Sequence, residues 1–164
     1  MIHSPDSVVE WASQLPPPKV GEVRNALRVL YPSSQLLHGT HSDINNSSVV
    51  LRLEYGAIRM LLTGDIETEA GRDLLGSAPD ALSAQVLKVP HHGSSTGLSP
   101  ELLAAIHPAV ALISVGAKNT YGHPAPNTLR LLHDAGVTTY RTDLQGTIEL
   151  LSDGRQVWAR TEHP

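Results

Sequence analysis

Two aspartates and three histidines fall where a chain of alternating strands and helices gathers its loops. Thr63-Gly64-Asp65 follows one apolar segment. Pro90-His91-His92-Gly93-Ser94-Ser95 follows a second, and Lys118-Asn119-Thr120-Tyr121-Gly122-His123-Pro124 lies beyond a third. Thr142-Asp143-Leu144-Gln145-Gly146 follows a fourth. Imidazole and carboxylate together suit zinc, manganese or iron. Each residue also has a plainer reading. Asp65 is equally placed to cap a helix beginning at Ile66, since Asp is a preferred cap. His91-His92-Gly93 is either part of a site or a turn with one buried and one exposed imidazole. His123, between Gly and Pro, is either a site residue or an ordinary loop residue. Asp143 suits an Asx-turn. His3, His38, His41, His107, His133 and His163 read as solvent-facing or capping, with His38 and His41 set apart by their place in a long loop. Ser94 and Ser95 lack the glycine-flanked strand-turn-helix elbow that exposes a nucleophilic serine.

The elements that must position these loops follow from periodicity. Ser4-Pro5-Asp6 before Val8, Val9 and Trp11 predicts a short capped helix, ended by Gln14-Leu15-Pro16-Pro17-Pro18. Leu27–Tyr31 predicts a strand. Ser33–Ser48 is polar, turn-rich and long for a connection, which is common in functional loops. Val50–Tyr55 alternates, with Leu51, Leu53 and Tyr55 on one face and Arg52 and Glu54 on the other. Gly56 turns the chain into a second hairpin arm, Ala57–Leu62. Ile66, Ala70 and Leu74 recur at helical spacing. Val86–Pro90 predicts a strand, and Ser99-Pro100-Glu101 opens a helix through Leu102, Leu103 and Ile106. Ala109–Val115, almost wholly apolar, predicts a strand buried on both faces. Asn127–Ala135 predicts a helix stopped by Gly136, and Val137–Arg141 a strand. Thr147–Leu151 and Gln156–Arg160 predict a final hairpin across Asp153-Gly154. The alternation implies parallel strands with right-handed crossovers, whose C-terminal loops share one edge where ligands bind.

Bulk composition narrows the class. The 164 residues suit one domain, and 40% hydrophobic with 17% charged residues indicates a globular chain. There is no Phe, so the core must be built from Leu, Val, Ile and Ala. No cysteine is present, which excludes a disulfide frame and thiolate ligands. No apolar run approaches the roughly 20 residues that span a bilayer, and the N-terminal residues lack the basic and apolar regions of a signal peptide. A net charge of −4 argues against a basic nucleic-acid-binding surface. A phosphate substrate remains compatible with carboxylates around metal ions, because the ions supply the positive charge.

Taken in order, five segments resemble one family. They are Asp43-Ile44-Asn45-Asn46-Ser47-Ser48-Val49-Val50-Leu51; Leu61-Leu62-Thr63-Gly64-Asp65; Val86-Leu87-Lys88-Val89-Pro90-His91-His92-Gly93-Ser94; Ile113-Ser114-Val115-Gly116 with Tyr121-Gly122-His123-Pro124; and Tyr140-Arg141-Thr142-Asp143 with Gly146-Thr147-Ile148. The chain resembles the metallo-β-lactamase-like domain at the C-terminus of ComEC-type competence and DNA-uptake proteins, over about Leu27 to Val157. The resemblance implies an α/β fold, half of an αββα sandwich, with a mixed sheet whose parallel strands are joined by helices. It implies that Asp65 bridges two divalent ions, zinc or manganese, in the complete domain. One of His91 and His92 would ligate, with the other close enough for proton transfer or phosphate binding. His123, Asn45, Asn46 and Ser94 look like residues that contact substrate or support the ligands.

The family's main metal motif, His-x-Asp-x-Asp-His, is absent. The expectation is therefore a single partial domain over residues 1–164 that holds half a site. Its complete form would be a metal-dependent phosphodiesterase cutting DNA during uptake. Its expected partners are DNA, the other half of the domain or a ComEC-type membrane channel, and a second copy in a homodimer. In the family the domain lies on the outer face of the bacterial cytoplasmic membrane. Two alternatives stand beside this: a same-fold hydrolase of another ester, such as a lactone or a phosphorylcholine ester, and a non-catalytic remnant or binding module.

Overall fold

In the computed structural model of the protein, residues 25–32 and 36–164 are described. The helix expected after Ser4 lies outside them. The polar stretch expected from Ser33 is described from Leu36 onward.

Among the described residues, eight strands form two sheets. β1 (Asn25–Tyr31), β2 (Val50–Tyr55) and β3 (Ile58–Leu62) pair antiparallel in sequence order. β4 (Val86–Lys88), β5 (Val110–Ile113) and β6 (Thr138–Arg141) then join β3 in parallel, giving a six-stranded sheet in the order β1-β2-β3-β4-β5-β6. The parallel crossovers carry helices α1 (Thr68–Ser77), α2 (Pro100–Ile106) and α3 (Pro126–Asp134). A four-residue helix, α4 (Thr142–Gln145), follows β6, and β7 (Ile148–Ser152) and β8 (Val157–Thr161) make a separate antiparallel pair. This is the mixed α/β sheet expected from the sequence, and it is consistent with half of an αββα sandwich.

Two helix starts differ from expectation. The helix expected from Ile66 begins two residues later, with Glu67 in extended backbone before it. Asp65 is therefore not its cap. α2 begins as expected, with Ser99 Oγ accepting from the Leu102 amide at 3.1 Å.

The sheet has one dry face and one half-covered face. Leu61, Leu87 and Ala111 sit side by side in register and are fully buried. They join Ile113 and helix residues Ala70, Leu74, Leu102, Ile106 and Leu132 in one core. Arg52 lies opposite Leu61, so the β2 residues on this face are Val50, Arg52 and Glu54. The alternation in β2 is as read, yet the drier side carries the arginine. Its Nη1 donates to Ala81 O at 2.8 Å and its guanidinium pairs with Glu54, which is how a charged head is accommodated there. The opposite face carries Leu51, Leu53, Met60, Leu62 and Leu112, all part-buried, and ends in Leu27 and Val29 at 60% and 65% exposure. Lys88 stands between Leu62 and Leu112 on this face, so its apolar surface is interrupted there.

Ile113 is fully buried at the C-terminal end of β5, next to the loops of the candidate site. Ile113→Ala should destabilise the domain by about 2–5 kcal/mol, the usual range for such truncations. An unchanged urea or thermal midpoint would show that this strand is not part of the core.

Candidate functional site

β3, β4, β5 and β6 run parallel, so the segments after them emerge along one edge. The chain leaves β3 through Thr63-Gly64-Asp65. Thr63 is fully buried and its hydroxyl donates to Lys88 O at 2.7 Å, tying this exit to that of β4. Gly64 has φ +57, and a Cβ there would come within 2.8 Å of Ser48 Cβ. The close approach lets the Asp65 amide donate to Ser48 Oγ at 3.1 Å. The carboxylate of Asp65 remains 40% exposed.

The segment after β4 is a tight turn, Pro90–Gly93. His91 (φ 46, ψ 49) and His92 (φ 55, ψ 21) both adopt left-handed backbone, a conformation that costs a non-glycine residue about 1–3 kcal/mol. Several bonds hold the turn: His91 N to Gly64 O at 3.1 Å, Ser94 N to His91 O at 2.9 Å, and Ala125 N to Gly93 O at 2.8 Å. Gly93 packs so closely on Pro124 that a Cβ would meet Pro124 Cβ at 2.8 Å.

These contacts bring the histidines together. The ring centroids of His91 and His92 are 6.2 Å apart, and those of His91 and His123 5.4 Å. His92 Nε2 stands 3.6 Å from Asp65 Oδ1, and its Nδ1 lies 2.7 Å from Ser114 O. A carbonyl only accepts, so Nδ1 carries a proton. His91 faces another way. Its Nδ1 is sealed from solvent 3.3 Å from Glu67 Oε1, off the line of an ideal hydrogen bond and with no other hydrogen-bond partner. His123 is held by Asn119, which donates to His123 O at 2.8 Å and accepts from the His123 amide at 3.1 Å. Burial, together with the neighbouring His91 and His92, holds the His123 imidazole below the usual histidine range, favouring its neutral form. Burial likewise lowers the Lys88 ammonium, against the opposing pull of Asp65.

Other predicted residues turn inward. Asn46 is fully buried. Its Oδ1 accepts from the amides of Glu67 at 2.9 Å and Ala70 at 3.4 Å, while its Nδ2 donates to Glu69 at 3.2 Å. It caps α1 from a distant loop, the job that the sequence offered to Asp65. Asn45 Nδ2 donates to Glu67 Oε1 at 2.8 Å. Ser94 is buried, its hydroxyl 3.2 Å from Thr96 Oγ1. Asp143 does not join the cluster and makes no Asx-turn, because Arg141 grips both of its oxygens, at 3.1 and 2.6 Å. One residue escaped the sequence reading. Glu67 is 4% exposed and binds Asn45, His91 and His41, whose Nδ1 lies 3.3 Å from Oε2. No motif marks it, because an acidic residue before a helix is ordinary. His41, 78% exposed, carries no signal beyond its place in the long loop. Among the described residues, no three His, Asp or Glu side chains converge closely enough to hold a metal ion.

The geometry defines a polar edge on an α/β sheet, with one carboxylate–imidazole pair open and a second closed by burial. Comparison with known proteins gives the relationship. Over 105 residues, 64% of its length, the chain is 41% identical to ComE operon protein 3 of Bacillus subtilis. It is 37% identical over 107 residues to competence protein ComA of Neisseria gonorrhoeae, and 32% identical over 111 residues to recombination protein 2 of Haemophilus influenzae. These matches cover 65% and 68% of the chain. All three are ComEC-family names, and the chain is a homologue of part of the ComEC-type competence proteins. It spans only 13%, 16% and 14% of those relatives' own lengths. No family model matches it.

The cap makes a testable distinction between two site residues. Asn46→Ala removes a helix cap and leaves the buried Glu67 amide without a partner, so it should cost about 1–3 kcal/mol. Asp65→Ala, at a half-exposed side chain, should stay within about 0.5 kcal/mol of wild type. Urea unfolding of both variants measures this, and the reverse order would return the structural role to Asp65.

Proposed function

We propose that this chain supplies the Asp65–His92 portion of a metal-dependent phosphodiesterase centre that acts on DNA during uptake. The observation that carries the proposal is the open pair itself: a half-exposed carboxylate oxygen 3.6 Å from an imidazole nitrogen whose other nitrogen is fixed on Ser114 O. A backbone acceptor behind a histidine is the usual support for a metal ligand. One carboxylate and one neutral imidazole are the donor chemistry of zinc or manganese, so the residues fit the group that the resemblance implies. In a two-metal centre, bound ions activate water and neutralise charge at phosphorus. His92 is the histidine assigned to ligation. His91 and the neutral His123 beside it are assigned to proton transfer and to contacts with the phosphate.

The donors in hand do not complete a two-metal centre, which needs several ligands for each ion. The remaining ligands are proposed to come from the other half of the domain, whose sheet would also cover the apolar face around Leu51 and Leu53. The names of the relatives support a role in DNA uptake. A ComEC-type membrane channel as partner, and a position on the outer face of the cytoplasmic membrane, are part of the same proposal. No helix among the described residues is long and apolar enough to cross a membrane. The incomplete donor set also suits a second reading, a non-catalytic binding module, and the following test separates the two.

Metal titration and a DNA-cleavage assay are run on this chain and on the chain joined to the upstream half of the family domain. Weak Mn²⁺ or Zn²⁺ binding without cleavage is expected for the chain alone. Tight binding with cleavage is expected for the extended protein, and Asp65→Asn should abolish that cleavage with little change in thermal stability. Two tightly bound ions and cleavage by the chain alone would refute the half-site. An extended protein that binds metal and leaves DNA uncut would favour the binding module.

A further inference from the structure

Glu67 is a buried carboxyl group without an assigned task, and three side chains converge on it. Oε1 lies 3.3 Å from His91 Nδ1 and accepts from Asn45 Nδ2 at 2.8 Å. Oε2 lies 3.3 Å from His41 Nδ1. Its own amide is bound by Asn46 Oδ1, so backbone and side chain are both fixed by the loop that precedes β2. No well-aligned hydrogen bond reaches His91 Nδ1, and that atom has no access to water. If Nδ1 were unprotonated, its lone pair would face a carboxyl oxygen inside the protein, which is repulsive where the dielectric is low. With the proton on Nδ1, the same contact becomes attractive.

We propose that Glu67 is the positioning residue for His91: it fixes the proton on Nδ1, leaves Nε2 as the bare lone pair, and locks the His41–Asn45 loop to the histidine turn. The two adjacent histidines are then set to the same tautomer by different means, His92 by the Ser114 carbonyl and His91 by a carboxylate. This assignment rests on reading His91 as part of the site, whereas its tautomer can be measured without metal or substrate.

The experiment is long-range heteronuclear NMR of the imidazole nitrogens in the metal-free, isotope-labelled chain, recorded where the histidines are neutral. The His91 signals are assigned by their loss in His91→Asn. Wild type is expected to show His91 with a pyrrole-type Nδ1 and a pyridine-type Nε2. In Glu67→Ala, and in the bulkier Glu67→Met should the alanine variant not fold, His91 should revert to the Nε2–H form usual for free imidazole, while His92 keeps its Nδ1–H signature. A merely structural role for Glu67 would leave the His91 tautomer unchanged, and that result overturns the proposal. So does an Nε2–H His91 in wild type. Neither outcome depends on whether the extended protein cuts DNA, so failure here and failure of the phosphodiesterase reading are separately visible.

Discussion

The parallel pairing of β3 through β6 is the constraint on which the rest depends. It sets Leu61, Leu87 and Ala111 in one row, and Leu62, Lys88, Leu112 and Tyr140 in the next. Because each strand ends at the same edge, Asp65, His91 and Ser114 leave the sheet within reach of one another without any local sequence relation. The ties across that edge are mostly backbone or buried hydroxyl bonds: Thr63 to Lys88 O, His91 N to Gly64 O, and Thr142 Oγ1 to Val115 O at 2.8 Å. Bonds of this sort transmit the register of the sheet to the loops, so the side-chain geometry inherits the rigidity of the core.

The two faces of the sheet then have different duties. The helix-covered face contains the fully buried residues and supplies the stability. The other face has Val86 and Val110 buried near its middle, at 2% and 5% exposure, and opens outward to Leu27 and Val29 at β1. A face that is apolar yet half wet lowers the stability of the isolated unit, since apolar area left in water forgoes about 25 cal/mol for each Å². The same area favours association with a matching surface.

Much of this was legible in the sequence, for identifiable reasons. Strand and helix order followed from periodicity, and Ser99-Pro100 marked the start of α2. The loops bearing Asp65, His91, His92 and His123 could be assigned to one edge, because parallel topology leaves no other choice. What could not be read was side-chain partnership across the chain. Asp65 looked like the cap of α1, since a cap is usually sought in the adjacent residues. The actual cap, Asn46, comes from 21 residues before Glu67. Asp143 looked available for the site until Arg141, two residues away, was seen to take both of its oxygens. Glu67 was invisible because its importance lies in burial, and no property of an acidic residue before a helix announces that it will be 4% exposed.

The strained histidine turn is where these threads meet. In an extended strand, neighbouring side chains point to opposite faces, so two adjacent histidines could not serve one site. Left-handed backbone at His91 and His92, followed by Gly93 at φ +81, curls the chain so that both rings stay within 6.2 Å of each other while their Nδ1 atoms find different anchors. The conformational cost falls on residues with side chains, although glycine would bear it more easily. It is tolerated because the turn is held from both sides, by Gly64 O at its first amide and by the Ala125 amide at its last carbonyl. A strained pair kept in place by the surrounding structure points to a need for both imidazoles rather than for the turn alone. The two Nδ1 atoms meet different groups there, that of His92 lying 2.7 Å from Ser114 O and that of His91 3.3 Å from Glu67 Oε1.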